Sequence, residues 1–180
     1  MDSGIDCFAT SDTWSNKLTE GAFHNRARVV FESCAAGIFT VHTFETVHDC
    51  PGSCGFVIQA GGESLLFATD TMMITQRFTT AFDIIALECN YDQEDVYARV
   101  AAGEMNKRQA MRVFASHMGL DATADYLTRC CDLSKCKELH LIHLSQTNID
   151  ADKARRVIKE ATMIDGIICG DIEVLKEAAK

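Results

Sequence analysis

The chain has 180 residues, 47% hydrophobic and 24% charged, a composition suited to one soluble globular domain with a sizeable core. Seventeen Lys and Arg against 26 Asp and Glu leave a formal charge of −9, which argues against a broad electrostatic grip on nucleic acid but leaves room for a local basic or metal-lined phosphate-binding cleft. The longest apolar runs, FDIIALEC and GIIC, fall well short of the roughly 20 residues of a membrane helix, and no leader-like segment opens the chain, so a cytoplasmic protein without membrane contact is expected.

In chain order, strand-length runs rich in β-branched, aromatic and aliphatic residues come first: RVVFESC, IFTVHTFETV, GFVIQA and SLLFATD. Pro51 marks a turn, and Gly61-Gly62 joins GFVIQA to SLLFATD as a hairpin. FDIIALEC, ELHLIHLS and GIICG read as further strands. They alternate with the helical patterns NKRQAMRVFASH, ATADYLTRCCDL and DADKARRVIKEATM, the last with Asp150 as N-cap. An antiparallel first part followed by strand and helix in alternation predicts an α/β fold, mixed sheets covered by helices.

The nine cysteines, odd in number and without a secretion signal, read as free thiols. Cys50 and Cys54 have the wrong gap for a zinc knuckle, and Cys130, Cys131 and Cys136 lack a second pair. The absence of a C-x-x-C argues against thiol redox chemistry.

The run LLFA ends at Thr69-Asp70-Thr71. Consecutive apolar positions imply a strand covered on both faces, whose C-terminal end emerges where α/β proteins commonly keep their sites. Asp70 there either caps the following turn or serves as a ligand. His48 and Asp49 follow another apolar run, and His143 follows LHLI. Two imidazoles and a carboxylate suit a divalent metal such as zinc. His42 and His140, at the wrong parity or too early in their strands, read as ordinary core or rim residues.

Placed in order, VHDCPGSCGF, ATDTM, LECNYD, SHMGLDATADYL and LIHLSQTNIDADKARRVI resemble the second half of a metallo-β-lactamase-fold metallohydrolase of the WalJ type. There the succession is HD…GF, TDTG, ESNHD, GHLS and LAHLSxxNN. The resemblance runs from IDCFATSDTW to GIICGDIEVL. It implies the C-terminal portion of an αββα sandwich, a zinc or manganese cofactor, and hydrolysis of a phosphodiester or ester, nucleic-acid ends included. Carried over residue by residue, it makes His48 a metal ligand, Asp70 the carboxylate that bridges two metals, and His143 the last histidine ligand. Asp70 and His117 become the catalytic residues. His117, Asn90 and Asn148 become substrate-binding, Glu88 and Asp92 share the polar strand end with Asn90, and Asn148 and Ser145 fix the turn after His143.

Tyr91 stands where the family has a histidine, and Met72 where it has a glycine. The family's H-x-H-x-D-H loop is absent, since His24, His42, His48, His117, His140 and His143 do not make that spacing. The resemblance therefore implies an N-terminally truncated single domain over residues 1–180, able by itself to hold one ion or none. Three readings follow: a piece completed by an N-terminal companion polypeptide, a stand-alone hydrolase with one metal, or a degenerate, non-catalytic binding protein that dimerises through its sheet edge.

Overall fold

The computed structural model of the chain describes residues 4–15 and 26–170. His24 and the end of the resemblance beyond Gly170 lie outside the described residues. The elements open with β1 (Cys7–Ala9), α1 (Ser11–Ser15), β2 (Ala27–Val29), β3 (Ser33–Ala36), β4 (Phe39–Glu45), β5 (Cys54–Ala60) and β6 (Glu63–Ala68). Then come β7 (Ile84–Glu88), α2 (Gln93–Ala101), α3 (Lys107–Ser116), α4 (Leu120–Cys130), β8 (Glu138–Ile142), α5 (Ala151–Thr162) and β9 (Ile167–Cys169). β3 to β9 form one seven-stranded sheet in sequence order, and β1 and β2 form a separate parallel pair. β3 to β6 run antiparallel, while β6, β7, β8 and β9 run parallel.

The Gly61-Gly62 hairpin is present: Ala60 pairs with Glu63, and both glycines have positive φ, 59° and 87°. That combination is the two-residue turn whose twist matches the flanking strands. Asp150 caps α5 by accepting from Lys153 N–H at 2.8 Å. Leu66, Leu87, Leu127, Leu139, Leu141 and Ile158 are fully buried between the sheet and its helices, which explains the unbroken apolar runs of the central parallel strands.

One expectation changes, and one helix is added. RVVFESC is not one strand: Val30 N–H still bonds Ala9 of the small pair, but the chain bends at Phe31 and Glu32 and joins the large sheet at Ser33. Thr43 fixes the bend, its hydroxyl donating to Phe31 O at 2.9 Å and its N–H to Glu32 O. Helix α2 went unread because its stripe is narrow, with Val96 its one buried residue. It is held by its N-cap, Asp92, which accepts from Glu94 N–H at 2.8 Å and pairs with Lys153.

Asp83, just before β7, ties three segments together. Its carboxylate accepts from the N–H and hydroxyl of Ser64 at 3.0 and 3.1 Å and pairs with Lys137 at 3.2 Å. Lys137 foremost, with Ser64, holds its carboxyl below the ordinary carboxylate range. A depressed carboxylate contributes stability that is present above its unfolded pKa and lost as pH falls through the folded one. Asp83→Asn is therefore expected to lower Tm at pH 7, with the gap to wild type closing below about pH 4; parallel melting curves in acid and neutral buffer check it.

Candidate metal centre

Because β6, β7 and β8 are adjacent and parallel, their C-terminal ends share one edge of the sheet. β6 leads to Asp70, β7 ends on Glu88, and β8 leads directly to His143. Asp70 and His143 both have left-handed backbone, φ 48° and 56°, a conformation that concentrates at functional sites in residues other than glycine. His117 arrives from the end of α3. Its turn is stitched to the end of β7, since Asn90 N–H donates to Met118 O and Leu120 N–H to Tyr91 O, both at 2.8 Å. Gly119 is required in that turn: a Cβ there would lie 2.7 Å from the Tyr91 ring. Tyr91 thus packs beneath the His117 turn and against Phe114, with ring centroids 5.1 Å apart.

Glu88 is the foundation of the site and is fully buried. One carboxylate oxygen faces His117 Nδ1 at 2.7 Å and His143 Nδ1 at 3.1 Å, while the other accepts from Thr71 N–H at 2.6 Å. Burial pushes its pKa up, but the hydrogen bonds from His117, His143 and Thr71 outweigh that, and the net shift is downward. Both imidazoles turn Nδ1 to this carboxylate, which accepts from either ring when that nitrogen carries the proton. A carboxylate behind a histidine in this way is the usual second layer of a metal site.

One donor atom each from Asp70, His117 and His143 lies within 4.8 Å of the others. Asp70 Oδ1 stands 3.4 Å from His143 Nδ1 and 4.0 Å from His117 Nδ1, and its side chain remains 60% exposed. His48, expected as a ligand, borders this group: its Nε2 is 3.9 Å from Asp70 Oδ1 and its ring 6.3 Å from that of His117. Its Nδ1 faces Asp49 at 2.9 Å and Cys50 N–H at 3.1 Å. His117, expected to line the cleft, lies within the cluster of Asp70 and His143.

Asn90 and Asn148 are buried and hold turns, where the resemblance implied substrate contact. Asn90 Nδ2 donates to His143 O at 2.8 Å. Asn148 Oδ1 accepts from Arg99, and Asn148 O accepts from Asp92 N–H. Ser145 accepts from Thr147 N–H at 3.5 Å within the turn after His143. His140 lies outside the cluster beside Glu138, 3.1 Å away. All nine cysteines are free, and burial pushes the Cys89 and Cys131 thiols up to about 12, which keeps both protonated at neutral pH.

No protein-family profile and no curated protein sequence matches the chain. Solved structures do. The metallo-β-lactamase fold protein YhfI from Bacillus subtilis aligns over 90% of this chain and 60% of its own, with a TM-score of 0.56 and 16% identity. Zinc-bound PqqB from Methylobacterium extorquens aligns over 91% of this chain and 62% of its own, with a TM-score of 0.64 and 14% identity. The chain has the metallo-β-lactamase fold. A diphosphatase of the PhnP family shares it, with a TM-score of 0.54 at 14% identity, over 91% of this chain and 54% of that one. The chain thus spans less than two thirds of the length of these structures. Among the described residues no helix is long and apolar enough to cross a membrane.

Proposed function

We propose that this chain is one domain carrying part of the active site of a metal-dependent phosphoester hydrolase, in which Asp70, His117 and His143 hold one zinc or manganese ion. The convergence of these three donors within 4.8 Å, above a buried Glu88 that orients both imidazoles, carries the reading. Two histidines, one carboxylate and an open fourth position suit catalytic zinc. The fold is shared with a diphosphatase and a zinc-bound protein, which supports a phosphoester substrate and a divalent ion.

A bound divalent ion polarises a phosphoryl oxygen and lowers the pKa of a water molecule. Glu88 faces Nδ1 of both histidines, which fixes the orientation of each ring. Asp70, the most exposed member, meets the solvent side of the site, where a substrate enters. His48, across from His117, stands at the rim to receive a phosphate oxygen. In this reading a second ion, and the bridging role of Asp70, depend on ligands supplied by a companion polypeptide or a second copy of the chain. Nine free thiols suit a reducing compartment such as the cytoplasm, and the charge of −9 favours a small phosphodiester over long duplex DNA.

Elemental analysis of zinc and manganese in protein purified without chelator tests the reading. The expected result is about one ion per chain for wild type, as three protein ligands allow, and none for Asp70→Ala with an unchanged circular dichroism spectrum. A folded wild type that retains no ion, and takes none up on addition of zinc, sinks it.

A further inference from the structure

His117 also lines a separate cavity of about 320 Å³, walled in addition by Arg99 of α2 and by Gln109, Arg112 and Ser116 of α3, with Glu104 between the helices. The two arginines differ. Arg99 Nε lies 3.5 Å from Glu104, and its Nη1 donates to Thr147 at 2.9 Å and to Asn148. Its charge is met and its position locked. Arg112 forms no ion pair and no side-chain hydrogen bond among the described residues. Arg129, Arg155, Lys137, Lys153 and Lys159 each face a carboxylate within 3.5 Å, whereas Arg108 and Arg156, like Arg112, form no ion pair among the described residues. Gln109 gives its carbonyl oxygen to Asn106 N–H at 3.1 Å, and its NH2 donors remain. Met105 and Val113 complete the lining and Ser116 donates its hydroxyl to Arg112 O, so the recess is an apolar cleft whose net positive charge comes from Arg112, and it shares His117 with the metal cluster.

We propose that this recess binds an anionic group of the substrate remote from the bond that is cut, a phosphate or carboxylate gripped by the Arg112 guanidinium with help from Gln109. The proposal rests on the hydrolase reading of the adjacent cluster and narrows it to phosphoesters that carry a second negative charge. The fork of a guanidinium matches two oxygens of a phosphate or carboxylate at once, which an ammonium does not. The volume lies at the small end of ligand sites, enough for one charged group and its attachment rather than a polymer.

The first test needs no metal. Chelator-treated wild type is titrated calorimetrically with inorganic pyrophosphate, beside Arg112→Ala, Arg112→Lys and Asp70→Ala. Arg112→Ala is expected to bind about tenfold more weakly, Arg112→Lys in between, and Asp70→Ala at least as tightly as wild type. No binding by wild type, or equal binding by Arg112→Ala, overturns the proposal. The second test restores zinc and compares kcat/KM for thymidine 5′-(p-nitrophenyl phosphate) with and without a 3′-phosphate. Wild type should prefer the 3′-phosphorylated substrate and Arg112→Ala should lose that preference; a preference unchanged in Arg112→Ala also overturns it. Should zinc-loaded wild type hydrolyse neither, the hydrolase reading fails, and the titration alone decides whether the recess binds anions.

Discussion

Glu88→Gln is expected to weaken zinc binding by about 10–100-fold, the usual cost of losing a carboxylate behind a metal-binding histidine. Three donors converge on its two oxygens: His117 and His143 on one, Thr71 N–H on the other. A glutamine offers one acceptor oxygen and one NH2, so either the imidazoles or the Thr71 amide must face another donor. That mismatch, fully buried, costs about 1–3 kcal/mol of stability. Glu88→Ala strips all three donors of their partner and should cost more. Zinc titration against a competing chelator reads the first effect, and urea unfolding of the metal-free proteins reads the second. Wild-type zinc affinity in Glu88→Gln would mean that the buried carboxylate does not orient the ligands.

Phe44→Ala is expected to destabilise the fold by about 3–5 kcal/mol, a fall in Tm on the order of 10 °C. Phe44 is 6% exposed and lies edge-on to Phe78 at 5.2 Å, which in turn meets Phe82 at 5.3 Å. Its ring occupies the space over Gly55, its partner across β4 and β5, where a Cβ would come within 2.2 Å of the ring. Removing the ring thus empties a slot built around it, and the neighbouring strand has no side chain with which to refill it. The urea midpoint should fall while the slope of the transition stays constant. A loss below about 1 kcal/mol would show that the slot collapses without cost.

The parallel strands, the glycine hairpin and the Asp150-capped helix were legible because each depends on signals a few residues apart. Asp70 and His143 were legible for a related reason, being ligand-type side chains at the ends of apolar runs. Glu88 was harder: it reads as the polar end of a strand, and its role comes from histidines 29 and 55 residues further along. That His117 joins Asp70 and His143 while His48 borders them, 3.9 Å from Asp70, was not legible, because strand-end position says nothing of how a turn is stitched. Asn90 binding Met118, His143 and Ser145 decides that, and those partners meet only in the folded chain. RVVFESC misled because an apolar run passing from one sheet to another keeps a strand's composition while its hydrogen-bonding partners change.

The left-handed backbone at Asp70 and His143 sets the site against the scaffold's own thermodynamics. A residue other than glycine held there costs about 1 kcal/mol. Glycine at either position would relax the turn and delete a donor in the same step. Random mutagenesis screened for heat resistance alone should therefore drift toward a sturdier protein with an emptied centre, whereas selection for metal uptake should hold both side chains in place at the expense of melting temperature.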